Sequence, residues 1–221
     1  KNPNLKVLLT VGNIPYWVPG RVPDPDRPGS ASYTTDPSGY TYYGIFCANI
    51  LRELDGYLIG IEHANEPNAN ASADGMDIPP IHYGRMVAHA AYWIDYCLGS
   101  NYFALIGSLA TGSALWRGLY TWKQYLGVVM GEVYQVLRQF YPLETRPIDL
   151  GRLIHSLRIS IHPYPPLDQS NSELAWKYVD EKVTWLHTSY PDQKVWITET
   201  GGSSVTMSAP GQMNFMVSMC Y

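Results

Sequence analysis

The sequence predicts an α/β fold of the (β/α)8 TIM-barrel type, with five of its βα units visible, and three observations predict it. Strand-like and helix-like segments alternate strictly along the chain, as they do in βαβ units around a parallel sheet. No glycine-rich phosphate turn follows the first strand, as it would in a doubly wound dinucleotide fold. Three strands end in polar, chemistry-bearing residues: Glu66, His162 with Tyr164, and Glu199. In a barrel the C-terminal ends of different strands converge on one site.

The elements follow in order. "LKVLLTV", residues 5 to 11, is a short apolar β-branched run, and the Pro-, Gly- and Ser-rich stretch after it reads as one long loop of the kind that carries function. Residues 42 to 54 read as a helix, and "YLIGIEHA", 57 to 64, as a strand closing on "NEPN". A helix over 80 to 98 precedes the strand "YFALIGSLA", 102 to 110. The helix over 122 to 140 stops before Pro142, and "LRISIHPY", 157 to 164, is the next strand. A helix over 173 to 190 ends before Pro191, and "KVWITETGG", 194 to 202, is the last strand and its turn. A further apolar helix begins near Met213.

Five strands fall short of eight. At roughly 30 residues per βα unit, about two units before Lys1 and one after Tyr221 are expected to be missing, so residues 1 to 221 read as a single barrel domain seen in part. With 46% hydrophobic residues the chain can bury a sizeable core. A formal charge of -4, with 15% charged residues and no basic run, argues against nucleic acid or an anionic membrane as partner and favours a neutral polar ligand. No apolar run is long enough to span a bilayer, and the first residues lack the pattern of a signal peptide, so localisation is not legible. Cys47, Cys97 and Cys220, odd in number and set in apolar segments, read as buried free thiols. Seven Trp and eighteen Tyr are many for this length, and such flat amphipathic rings stack on the apolar faces of sugars.

Glu66, taken alone, reads as a solvated residue between turn formers. Glu199 changes that, because three βα units separate the two, and strand ends three units apart face each other across a barrel mouth. Paired carboxylates are the machinery of glycoside hydrolysis: one protonates the leaving oxygen, while the other attacks the anomeric carbon or activates water. Tyr16 and Trp17, ending the first strand, read either as core or as a sugar platform, and the long loop after them favours the platform. Glu62 and Arg158 share strand parity with the site residues and read as a buried ion pair, while Trp116, Trp122 and Tyr125 read as packing. His82, His89, His155 and His187 lie on helices or their flanks without metal-ligand spacing, so neither a metal nor a cofactor is expected.

"IEHANEPN" resembles the strand-four motif of the clan A glycoside hydrolases, W-E-[IV]-W-N-E-P-N, matching at Glu62, Asn65, Glu66, Pro67 and Asn68. "ISIHPYP" resembles the clan's strand-six His-x-Tyr motif, and "VWITETGG" its strand-seven nucleophile segment. "LLTVGNIPYWV" is similar to the end of strand three in family 39 and its relatives, and the wider pattern is also family 5-like. Numbered by this resemblance, the visible strands are three to seven. The resemblance implies a retaining mechanism, with Glu66 as general acid and base and Glu199 as nucleophile. It also implies that Asn65 binds the sugar 2-hydroxyl, that Tyr164 donates to Glu199, and that His162 lines the pocket. The sequence departs from the motif at His63 and Ala64, where relatives often carry an aliphatic residue and Trp. The reading is therefore a retaining glycosidase, with a catalytically inactive carbohydrate-binding barrel as the alternative. No nucleic acid, membrane or metal enters either one.

Overall fold

Five parallel strands lie side by side in chain order, so the sheet winds in one direction with no reversal. The order of a doubly wound fold reverses at a switch point, and among the described residues this one does not. The computed structural model describes residues 7–24, 29–69, 75–112, 116–140, 150–164 and 172–199. Among them the sheet is open, running from β1 (Val7–Val11) through β4 (Leu58–His63), β5 (Phe103–Ala110) and β6 (Arg158–His162) to β7 (Lys194–Ile197). The fold is thus α/β around a five-stranded parallel sheet. The helix expected from Met213 lies outside the described residues.

The connections are α1 (Pro37–Glu53), α2 (Pro80–Leu98), α3 (Trp122–Phe140) with the short α4 (Leu150–Ser156), and α5 (Ser172–Ser189). The long loop expected after β1 contains an antiparallel hairpin, β2 (Arg21–Pro23) paired with β3 (Ala31–Thr34). Its strands are so short, and so interrupted by Pro and Ser, that no alternation shows in the sequence. Asp36 starts α1 by accepting the Ser38 amide at 2.7 Å, with Pro37 in the first turn, where its missing N–H costs nothing. On α3 the buried positions Tyr125, Leu126, Val129, Met130, Val133, Val136 and Leu137 form a helical stripe, and the helix packs against α2. Gly44 lets α1 and α2 touch, since a Cβ there would lie 2.6 Å from the His89 carbonyl oxygen. Cys47 is buried as expected, but Cys97, in the last turn of α2, is exposed.

The C-terminal ends of β4 and β5 are held apart by a side chain. With His63 opposite Ile106, the next rung of a parallel ladder would run from the Gly107 N–H to the His63 carbonyl. The Tyr83 hydroxyl of α2 stands in that rung: it donates to the His63 carbonyl at 2.5 Å and accepts from Gly107 at 2.7 Å. On the other side of β5 the register shifts between Ile106 and Leu109, and the Ser108 amide donates to Ser160 Oγ at 2.7 Å. Both rungs open where the strands approach the site.

Candidate active site

The segment after β4 is pinned by its backbone. Ala64 donates to the Val11 carbonyl at 2.9 Å, and the Glu66 carbonyl accepts the amides of Ala69 and Met76 at 2.9 and 3.2 Å. Asn68 grips the end of β5 through both side-chain atoms, donating to the Ala110 carbonyl at 2.8 Å and accepting its amide at 2.9 Å. These bonds hold Ala64 and Glu66 at φ of 66° and 43°, a region that non-glycine residues adopt only under constraint. The other non-glycine residues with positive φ among those described are Asp77, Ser108 and Arg117, and all five lie at or beyond the C-terminal ends of β4 and β5. Backbone strain of this kind gathers where a site is preorganised.

Glu66 is not a solvated turn residue, for its side chain is only 13% exposed. His162, the last residue of β6, is buried and directs Nδ1 at Glu66 Oε1 over 3.1 Å. The same Nδ1 lies 3.8 Å from Glu199 Oε2. These two legs cap the distance between Glu66 Oε1 and Glu199 Oε2 at their sum, about 6.9 Å. The two environments differ, since the Glu199 side chain is 57% exposed. Tyr164 donates its hydroxyl to Glu199 Oε1. Burial, and then the Glu199 carboxylate it serves, push the Tyr164 phenol well above its ordinary range, so it stays a protonated donor. The His162 backbone is fixed from β5, where Thr111 donates its amide and hydroxyl to the His162 carbonyl at 3.5 and 3.4 Å.

The fold has a counterpart among solved structures. An endo-laminarinase from Formosa Hel1_33_131 matches with a TM-score of 0.50 and 12% sequence identity, over 88% of this chain and 53% of that one. The fold is glycoside hydrolase-like. The chain spans about half the length of that enzyme. No family model matches the chain, and no curated protein sequence does.

The other expected site residues divide. Asn65 is half-buried beside Glu66, its amide donating to Met76 Sδ at 3.4 Å. Trp17 packs edge-on against Tyr42 and Phe46 of α1, with ring centroids 6.3 and 6.0 Å away, and Tyr16 is 85% exposed. Both follow the end of β1 at Val11, and the ring contacts of Trp17 are with α1. Trp116, Trp122 and Tyr125 are buried packing residues, as expected. No group of three His, Cys, Asp or Glu side chains suited to a metal occurs among the described residues.

The ion pair expected between Glu62 and Arg158 does not form. The two share a rung through Leu105 but stand two strand spacings apart, roughly 9.6 Å. Arg158 lies over the Phe103 ring at 4.2 Å and the Trp196 ring at 5.7 Å. Glu62 instead collects three hydroxyls: Thr10 donates to Oε2 at 2.9 Å, and Ser160 and Thr198 donate to Oε1 at 2.6 and 2.8 Å. Gly107 makes the room, because a Cβ there would lie 2.6 Å from Glu62 Cγ. Sequence reasoning missed this cluster and the Asn68 grip. The signal for the cluster was parity: Glu62 shares it with Glu66, and Ser160 with His162.

His63, the first departure from the motif, points to the helix layer. Its Nδ1 meets the Tyr43 hydroxyl at 2.9 Å, and full burial lowers its pKa to about 3, so it is neutral. Ala64, the second departure, is itself buried in the left-handed region, where a bulky side chain would be strained.

Proposed function

We propose that this chain carries the catalytic centre of a retaining glycoside hydrolase of the clan A type, cleaving O-glycosidic bonds of an oligo- or polysaccharide within a (β/α)8 barrel. The observation that carries the reading is the pair of strand-end carboxylates, Glu66 and Glu199, spanned by one buried histidine ring. Retaining enzymes hold their carboxyl groups about 5 to 5.5 Å apart, and inverting ones about 6.5 to 9.5 Å, to leave room for water. An upper bound of about 6.9 Å between two of their oxygens admits the first geometry and only the shortest part of the second range. A glycoside hydrolase among the structural neighbours supports the reading at the level of fold.

In this mechanism Glu66 gives its proton to the glycosidic oxygen while Glu199 attacks the anomeric carbon, forming a glycosyl ester and releasing the leaving group. Water then attacks the same carbon, Glu66 takes its proton, and the ester breaks to return Glu199. The Tyr164 hydroxyl fixes the attacking carboxylate, and the His162 ring fixes Glu66 by one oxygen. Asn65 would meet the sugar 2-hydroxyl, and the exposed rings of Tyr16 and Trp17 would offer an outer platform to a longer chain.

A panel of aryl β-glycosides tests the reading. At least one is turned over; Glu66→Ala lowers its hydrolysis by about 10² to 10⁴, with partial rescue by azide, and Glu199→Ala abolishes it. Turnover that survives Glu199→Ala unchanged would rule the reading out.

A further inference from the structure

We propose that Glu62 is a positioning residue that sets the distance between the two carboxylates; the idea rests on the glycosidase reading and deepens it. Glu62 lies in β4, four residues before Glu66 in the segment that follows the strand, and its Oε1 accepts the hydroxyl of Thr198, the residue immediately before Glu199, at 2.8 Å. One buried carboxylate therefore ties the strand that presents Glu66 to the segment that presents Glu199. Ser160, two residues before His162, donates to the same oxygen at 2.6 Å, so the bridging histidine's strand is gathered as well.

The geometry is specific in three respects. Glu62 is 4% exposed, and hydrogen bonds to a charged acceptor are about twice as strong as neutral ones. Its neighbour Gly107 leaves the space its side chain occupies. Ser160 Oγ also accepts the Ser108 amide, so the network reaches the register shift that turns the end of β5. Thr198 follows the last ladder residue of β7, Ile197, so Glu62 holds this segment beyond the reach of strand pairing.

Two isosteric variants separate positioning from bulk stability. Thr198→Val and Thr10→Val each remove one hydroxyl donor from the same carboxylate, on opposite oxygens. Thr198→Val is expected to lower kcat by about tenfold to a hundredfold with KM nearly unchanged, as a misplaced reacting group does, while Thr10→Val keeps kcat. Glu62→Gln, which preserves an acceptor oxygen for Ser160 and Thr198, retains more kcat than Glu62→Ala. Equal kcat effects in the two threonine variants would overturn the proposal. Crystal structures of both variants give a readout independent of turnover. The contact of Tyr164 with Glu199 is lost in Thr198→Val and kept in Thr10→Val, and Glu199 in the same place in both would overturn positioning. Should Glu199→Ala leave turnover intact, the glycosidase reading fails, and these structures still decide whether Glu62 positions Glu199.

Discussion

His63 makes the stability of this protein depend on acid in a way that one substitution can isolate. Its ring is fully buried between β4 and α1, Nδ1 is engaged by Tyr43, and Nε2 has no partner among the described residues, so burial disfavours the charged imidazolium. Burial holds the folded-state pKa at about 3, against 6.5 in the unfolded chain. Above pH 6.5 the ring is neutral in both states and contributes no pH dependence. As pH falls below 6.5 the unfolded chain takes up a proton that the folded protein refuses, and stability is lost until the pH reaches about 3. One pH unit within that window corresponds to about 1.4 kcal/mol, so moving from neutrality to about pH 4.5 costs on the order of 2 to 3 kcal/mol through His63 alone. That is a large part of a typical net stability of about 5 to 15 kcal/mol. His89, lowered to about 4 by burial and by Arg85, acts in the same direction. The assay is urea unfolding of the wild type and of His63→Asn, which keeps an acceptor for Tyr43, at about pH 7 and about pH 4.5. The variant is less stable at neutrality because of the cavity, but its loss on acidification is smaller by on the order of 2 to 3 kcal/mol. Parallel losses in the two proteins would refute the reasoning.

Other perturbations read the strand ends. Tyr83→Phe removes the hydroxyl standing between the His63 carbonyl and the Gly107 amide, leaving two buried backbone groups unpaired at about 1 to 3 kcal/mol each; thermal unfolding should fall by about 5 °C or more. Unchanged unfolding would mean that β4 and β5 close to a direct rung, which a crystal structure would show. Asn68→Ala breaks both bonds to Ala110 and is expected to lower stability by about 1 to 3 kcal/mol and kcat more than KM, because the Glu66 turn loosens. Steady-state kinetics and denaturant titration of that variant check both effects.

The sequence was readable where periodicity and position coincide. The strands around Ile61, Ile106 and Ile159 and the helices around Tyr83 and Val129 follow from apolar patterning, and the placement of Glu66, His162 and Glu199 follows from their position at strand ends. The hairpin of Arg21–Pro23 with Ala31–Thr34 was hidden because strands of three and four residues carry no measurable alternation. Helix α4 was hidden in the same way by its seven residues. The fate of Glu62 was half legible. Parity gave its face, but its partners depend on the height along each strand, and the register shift between Ile106 and Leu109 sets that height. Tyr83 could not be read at all, since nothing in a helical sequence shows that a hydroxyl will enter a sheet ladder. The pinning of Ala64 and Glu66 at positive φ is likewise tertiary, built from contacts to Val11, Met76 and Ala110.

The central claim is that Glu199 bonds to the sugar. Incubation with an activated 2-deoxy-2-fluoro-β-glycoside matched to a substrate that the protein turns over, followed by peptide mass spectrometry, tests it directly. A single glycosyl label on Glu199, absent from Glu199→Ala, is the expected result. Inactivation with the label on another residue, or turnover that never labels Glu199, would contradict it.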